Sequence, residues 1–253
     1  MIDVQNIRKR FGDQEILKGI STTFEKGKCN LIIGSSGAGK TVFLKCLVGL
    51  FAPEDGDILY DGRKLKSLGT KEKKELRKEM GMLFQGNALF DSLTVEENIR
   101  FPLDMFTKQS MKEKMERVNF CLERVNLIGA NKKYPGEISG GMMKRVGIAR
   151  AIVMNPKYLF CDEPNSGLDP QTSLLIDELI LELTKEYQMT TVINTHDMNS
   201  VMGIGDKVSF FHKGHIHWEG TKDDVLHTEN ELLSEFIFAS DFLKSLRDAA
   251  LKK

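Results

Sequence analysis

The chain has no excess of charge of either sign: 36 Lys and Arg face 36 Asp and Glu among 253 residues, a formal net charge of +0. A general nucleic-acid binder would carry a strongly basic domain, so this balance argues against that class and leaves only local basic patches open. Cysteines are few. Cys29, Cys46, Cys121 and Cys161 lie far apart, show no paired metal spacing, and read as free thiols of a reducing compartment. Long apolar runs are also missing. None approaches the ~20 residues of a membrane-spanning helix, and the opening MIDVQNIRKRFGD has no signal-peptide apolar region. A cytosolic chain is expected, with any membrane role passing through a partner. Neither internal repeats nor low-complexity linkers interrupt a chain that is 41% hydrophobic, so one domain with a subdomain and a sizeable core is predicted.

Apolar and β-branched segments (EILKGISTTF, CNLIIG, GDILYDG, MGMLF, KYLFCD, TTVINT, DKVSFF, GHIHWEG) alternate with helical stretches, the order of an α/β sheet. Residues 86–154 break that order. Their helical periodicity, without a convincing strand, predicts an inserted helical subdomain. In the tail, Leu232, Phe236, Ala239, Leu243 and Leu246 recur at helical steps and predict one more helix docked on the core. Phe238 and Phe242 fall outside that stripe and suggest contact with a second chain.

The chemistry begins at LIIGSSGAGKTVFL. Gly34, Ser35, Ser36, Gly37, Ala38, Gly39, Lys40 and Thr41 form G-x-x-x-x-G-K-T between an apolar strand and an apolar-periodic helix, the setting of a phosphate-binding loop. Glycines let backbone N–H groups turn toward phosphates, Lys40 supplies positive charge to the β- and γ-phosphates of ATP, and the Thr41 hydroxyl can ligate Mg²⁺. Further on, YLFCDEP delivers Asp162 and Glu163 at the carboxyl end of a strand. Asp162 suits the Mg²⁺ shell, and Glu163 suits a general base that orients and deprotonates an attacking water.

Four more features, in order, resemble the ATP-binding-cassette (ABC) ATPases over essentially the whole chain: Gln85 closing GMLFQ, ISGGM at 138–142, SGLD at 166–169 and His196 in INTHD. The resemblance implies an α/β P-loop NTPase of the ABC ATPase fold. A RecA-like sheet core with an antiparallel β subdomain would span 1–85 and 155–228, the helical signature subdomain 86–154, and a C-terminal helical extension 229–253. It also implies a head-to-tail dimer of two copies with ATP between the P-loop of one and the signature of the other. Ser139, Gly140, Gly141 and Asp169 would then contact nucleotide, Gln85 would join the catalytic and Mg²⁺-binding groups, and His196 would contact the γ-phosphate. Phe11 is the best match to the adenine-stacking aromatic, and reads almost as well as a core aromatic at a strand end.

The signature departs from the family pattern at Met142. S-G-G-M followed by a basic helix, with FQGNALFDSLTVEENIRFPL at 84–103, resembles the Mla-type cassettes of phospholipid trafficking, which work with a membrane-embedded permease and an MCE-type lipid-binding protein. That implies a site on the inner face of the cytoplasmic membrane. Alternatives remain: an importer ATPase for another substrate, a soluble ATPase of iron–sulfur cluster assembly, and an ATP-binding module that does not hydrolyse. The presence of Lys40, Asp162, Glu163 and His196 argues against the last, and the short interval from Lys40 to Ile138 leaves no room for the coiled coil of chromosome-structure ATPases. His212, His215 and His217 cluster without a carboxylate or cysteine and read as exposed hairpin residues. The basic run 62–78 reads as a solvated face with lipid headgroups within its chemistry.

Overall fold

In the computed structural model, residues 1–237 are described. β1 (Ile2–Phe11) and β2 (Gln14–Phe24) form an antiparallel hairpin, joined on the far side of β1 by β4 (Asp55–Tyr60) and the two-residue β5 (Arg63–Lys64), a four-stranded antiparallel sheet in the order β2-β1-β4-β5. Alternation does not reveal β1. Its inward residues Ile2, Val4 and Ile7 fall out of phase where Asn6 turns to φ 50° and the register shifts against both neighbours.

The second sheet has six strands in the order β10-β9-β3-β8-β7-β6, built from β3 (Cys29–Ile33), β6 (Met80–Leu83), β7 (Tyr158–Asp162), β8 (Thr190–Asn194), β9 (Lys207–His212) and β10 (His215–Gly220). Its pairs are parallel except for the β9–β10 hairpin. Every residue of β3, β7 and β8 is buried, because this sheet is covered on both faces. Leu31, Ile33, Leu159, Cys161 and Ile193 point into one core, and Ile32, Tyr158, Phe160 and Val192 into the other. The neighbours β3, β8, β7 and β6 therefore end side by side, and the loops leaving them are the four motif-bearing segments.

Helices α1 (Lys40–Leu47), α2 (Thr70–Lys78), α6 (Pro170–Tyr187), α7 (Met198–Ile204) and α8 (Lys222–Leu226) connect or flank these strands. Between β6 and β7 lie only helices and turns: α3 (Val95–Phe106), α4 (Met111–Arg124) and α5 (Gly140–Ile152). Thr94 with Glu97, and Ser110 with Glu113, close reciprocal capping boxes that start α3 and α4. In the last described helix, α9 (Glu231–Ile237), the buried residues are Leu233 and Ile237. Of the expected stripe, Phe236 does pack on Phe210, with ring centroids 5.4 Å apart, whereas Leu232 is exposed and Leu233 is buried in its place. Ala239, Leu243 and Leu246 of that stripe, with Phe238 and Phe242, lie outside the described residues. The basic run divides into β5, a short 3-10 turn and α2, and several of its cations are paired, Arg63 with Glu79 and both Lys64 and Lys66 with Asp57.

All four cysteines are free and buried. Burial pushes the thiols of Cys29, Cys46 and Cys121 up to about 11 and that of Cys161 higher still. Among the described residues no helix is long and apolar enough to cross a membrane.

One polar residue sits inside the apolar β3. Asn30 is fully buried; its Nδ2 donates to the carbonyls of Glu25, Lys28 and Thr191, and its Oδ1 accepts from the Glu25 N–H. It ties the β2–β3 turn to β8. Asn30→Ala leaves these buried groups unpaired and should lower stability by about 2–4 kcal/mol in urea denaturation; a change below about 0.5 kcal/mol would show that water replaces the amide.

Candidate functional site

The loop after β3 wraps into a cradle because its glycines adopt conformations closed to other residues. Gly34 sits at φ 145°, and a Cβ there would meet the Phe211 carbonyl oxygen at 2.2 Å. Residues Ser35 to Thr41 form one wall of a cleft of about 740 Å³; Gln85, Glu163 and His196 form another, and Gln14, Ile16, Met198 and Phe236 complete it. Lys40 is the first residue of α1, nearly buried, and its ammonium donates to the carbonyls of Gly34 (2.6 Å) and Ser35 (3.2 Å). Desolvation pulls its pKa down, with Glu163 and Asp162 pulling the other way. A phosphate oxygen would offer this ammonium a full charge in place of carbonyl dipoles.

Thr41, in the first turn of α1, and Asp162, the last residue of β7, come together, Thr41 Oγ1 donating to Asp162 Oδ1 at 3.1 Å. Asp162 is 4% exposed and lies behind the cleft wall. Its Oδ1 also accepts from Asn194 Nδ2 at 3.0 Å, and the Asn194 carbonyl accepts from the Glu163 N–H at 2.9 Å. Glu163 itself is at φ 51°, a left-handed conformation that costs a non-glycine residue about 1–2 kcal/mol. Its side chain reaches the imidazole, His196 Nδ1 lying 2.8 Å from Glu163 Oε2. This leaves a buried carboxylate directed at a cleft and braced by a largely exposed histidine, an arrangement able to align and deprotonate a water beside a phosphoryl group.

The structure thus brings together Lys40, Thr41, Gln85, Asp162, Glu163 and His196, and leaves the other expected contacts outside the cleft. Ser139 caps α5, its Oγ accepting from the Met142 N–H at 3.3 Å; with Gly140 it is exposed to solvent. Gly141 is where α5 meets the start of α6, since a Cβ there would lie 2.8 Å from Thr172 Cγ2. Asp169 caps α6, its carboxylate occupied by the N–H and hydroxyl of Thr172, which hold its pKa down. Phe11 is exposed at the end of β1, edge-on to Phe51 at 5.3 Å with Lys9 Nζ 5.2 Å from its ring centre, and the wall supplied by this hairpin is Gln14 and Ile16. Met142 packs partly against the main core, which accounts for an apolar residue there.

Motif matching does not find the supports. Asn98, fully buried in α3, holds the loop before it by accepting from the Phe90 N–H and donating to the carbonyls of Phe90, Leu93 and Thr94. Arg150 donates to the carbonyls of Asn87 and Ala88, both at positive φ in the segment after Gln85. The His212 and His217 rings lie 5.4 Å apart, but no cluster of three metal-ligating side chains occurs among the described residues. Replacing Lys40 with Ala should weaken ATP binding at least tenfold in a calorimetric titration; unchanged affinity would remove the lysine from phosphate recognition.

The ABC transporter family pattern matches residues 17–166. Over 236 residues the chain is 38% identical to the probable ribonucleotide transport ATP-binding protein mkl of Mycobacterium leprae, an alignment covering 93% of this chain and 68% of that one. It is 38% identical over 259 residues to the methionine import ATP-binding protein MetN of Campylobacter jejuni, covering 96% and 77%. Among solved structures, the post-hydrolysis dimer of the ATP-binding cassette MJ0796, bound to ADP and Pi, superposes with a TM-score of 0.80 at 30% identity, covering 88% of this chain and 99% of that one. The structure of cbiO1 from Clostridium perfringens gives 0.82 at 28% identity, covering 99% and 98%. Sharing more than a third of its residues with two transport ATPases along nearly all its length, the chain belongs to the ABC transporter family and is an ATP-binding subunit whose ATP hydrolysis is coupled to transport.

Proposed function

We propose that this chain works as a head-to-tail pair of copies on the cytoplasmic face of a membrane, turning ATP hydrolysis into movement of an importer-type permease. The observation that carries the reading is Glu163: a buried carboxylate at the cleft wall, held by the Asn194 carbonyl at its N–H and touching His196. In this reading Glu163 is the general base, His196 and Lys40 act on the γ-phosphate, and Gln85 senses it. Mg²⁺ fits the donors present, for Thr41, Asp162 and Gln85 offer hydroxyl, carboxylate and amide oxygens, the hard set that ion prefers. Bound there, it would neutralise charge on the β- and γ-phosphates. Ser139, Gly140, Gly141 and Asp169, outside their own cleft, would serve the nucleotide of the second copy, and Phe11 would stack on adenine beside the hairpin that supplies Gln14 and Ile16. Division into a core over 1–85 and 155–228, a helical insertion over 86–154 and an extension over 229–253 belongs to the same reading.

A groove of about 420 Å³ between β6 and the inserted helices suits the permease. Met82, Phe84, Phe90, Phe101 and Phe106 line it, with the Phe90 and Phe101 rings 4.9 Å apart and both exposed. On cargo, the names of the relatives, ribonucleotide transport and methionine import, support uptake of a small polar solute. A second reading, phospholipid trafficking with an MCE-type partner, is favoured by Ser139–Met142 and by residues 84–103. Extraction from native membranes in mild detergent separates them: a permease with a soluble solute-binding protein supports the first, a permease with an MCE-type lipid binder the second, and recovery with no membrane partner removes both. Glu163→Gln should retain ATP binding while slowing turnover by about 10²–10⁴-fold; near-normal turnover would take Glu163 out of the chemistry.

A further inference from the structure

Lys144 is absent from every motif used so far, yet it is the most deeply buried cation of the described site, 2% exposed on α5. Its ammonium crosses from the inserted helices to the sheet core. There it donates to two main-chain carbonyls, that of Gln85 at 2.9 Å and that of Glu163 at 3.3 Å. These oxygens belong to separate loops, one leaving β6 and the other β7. The second contact bears on the residue that is hardest to hold. Glu163 sits at φ 51° with its N–H fixed by the Asn194 carbonyl, so its peptide units are gripped from β8 on one side and from α5 on the other. Burial depresses the Lys144 pKa, and Cys161, Glu163 and Asp162 oppose that shift, so the ammonium sits in the field of the catalytic carboxylates without bonding to their oxygens.

We propose that Lys144 is a positioning residue: it links α5, the helix that begins at the signature, to the backbones of Gln85 and Glu163, so that a displacement of α5 re-aims the base and the sensor together. This rests on the reading of Glu163 as general base. Lys144 does not line the cleft, so its loss should change the rate of the chemical step and spare nucleotide binding.

The test uses the full chain. Lys144→Met keeps an unbranched apolar stem that ends where Cε stood and removes the donors; Lys144→Gln has the same reach as Met and keeps an N–H donor. For each, kcat and KM for ATP are measured with magnesium and normalised to the fraction of protein that binds nucleotide, which counts out misfolded material. Lys144→Met should lower kcat by about 10–100-fold, the scale of a displaced catalytic group, with KM within about threefold of the parent. Lys144→Gln should fall between the two. If Lys144→Met does not fold, a lowered kcat at unchanged KM in Lys144→Gln carries the proposal and a parental kcat overturns it. Equal losses in kcat and in nucleotide affinity, or parental kcat in both variants, would also overturn it. Glu163→Gln run alongside separates two failures: normal turnover there removes the general base and this inference with it, whereas lost turnover there with parental kcat in the Lys144 variants removes the inference alone.

Discussion

The site depends on one pairing, Asp162 of β7 set against Asn194 of β8 in a parallel register. The Asn194 amide grips the Asp162 carboxylate while its carbonyl holds the next N–H, that of Glu163. A slip of one residue would turn Asp162 to the opposite face of the sheet and break both bonds at once. Because β3 and β6 flank this pair in the same sheet, the phosphate loop and the Gln85 loop leave at the same level, and no loop has to be long to reach the cleft.

Helix α5 binds the inserted region to that edge. Its exposed end carries Ser139 and Gly140, and its body is buried through Val146, Ile148 and Ile152. Two cations on it grip the segment after β6, Lys144 at Gln85 and Arg150 at Asn87 and Ala88. The groove with Phe90 and Phe101 lies against the same segment. A protein seated in the groove therefore presses on a loop whose backbone is already tied to Glu163 through one ammonium.

Much of this is legible in the sequence, for identifiable reasons. Apolar strands such as CNLIIG and YLFCD are buried on both faces, so length and composition reveal them, and fixed spacing reveals the P-loop. β1 is hidden because the bulge at Asn6 destroys its alternation. Helical spacing in the tail identifies a helix and puts Phe236 on its inward side, and it errs at one position, where Leu233 rather than Leu232 is buried. Lys144 and Asn98 escape because their partners are backbone groups, which carry no residue identity and leave no pattern to match. Asp169 and Ser139 have visible motifs, and the structure shows them as helix caps outside the cleft.

The four thiols have a practical consequence. Each is buried with its pKa raised, so at neutral pH the thiolate that alkylating and disulfide-exchange reagents require is scarce and out of reach. The native protein is thus a silent background for chemical labelling. A cysteine introduced at an exposed site outside the proposed nucleotide contacts, such as Tyr134, would carry a spin label or cross-linker as the sole reactive thiol among the described residues, and the approach of two copies could be timed with the cleft residues unaltered.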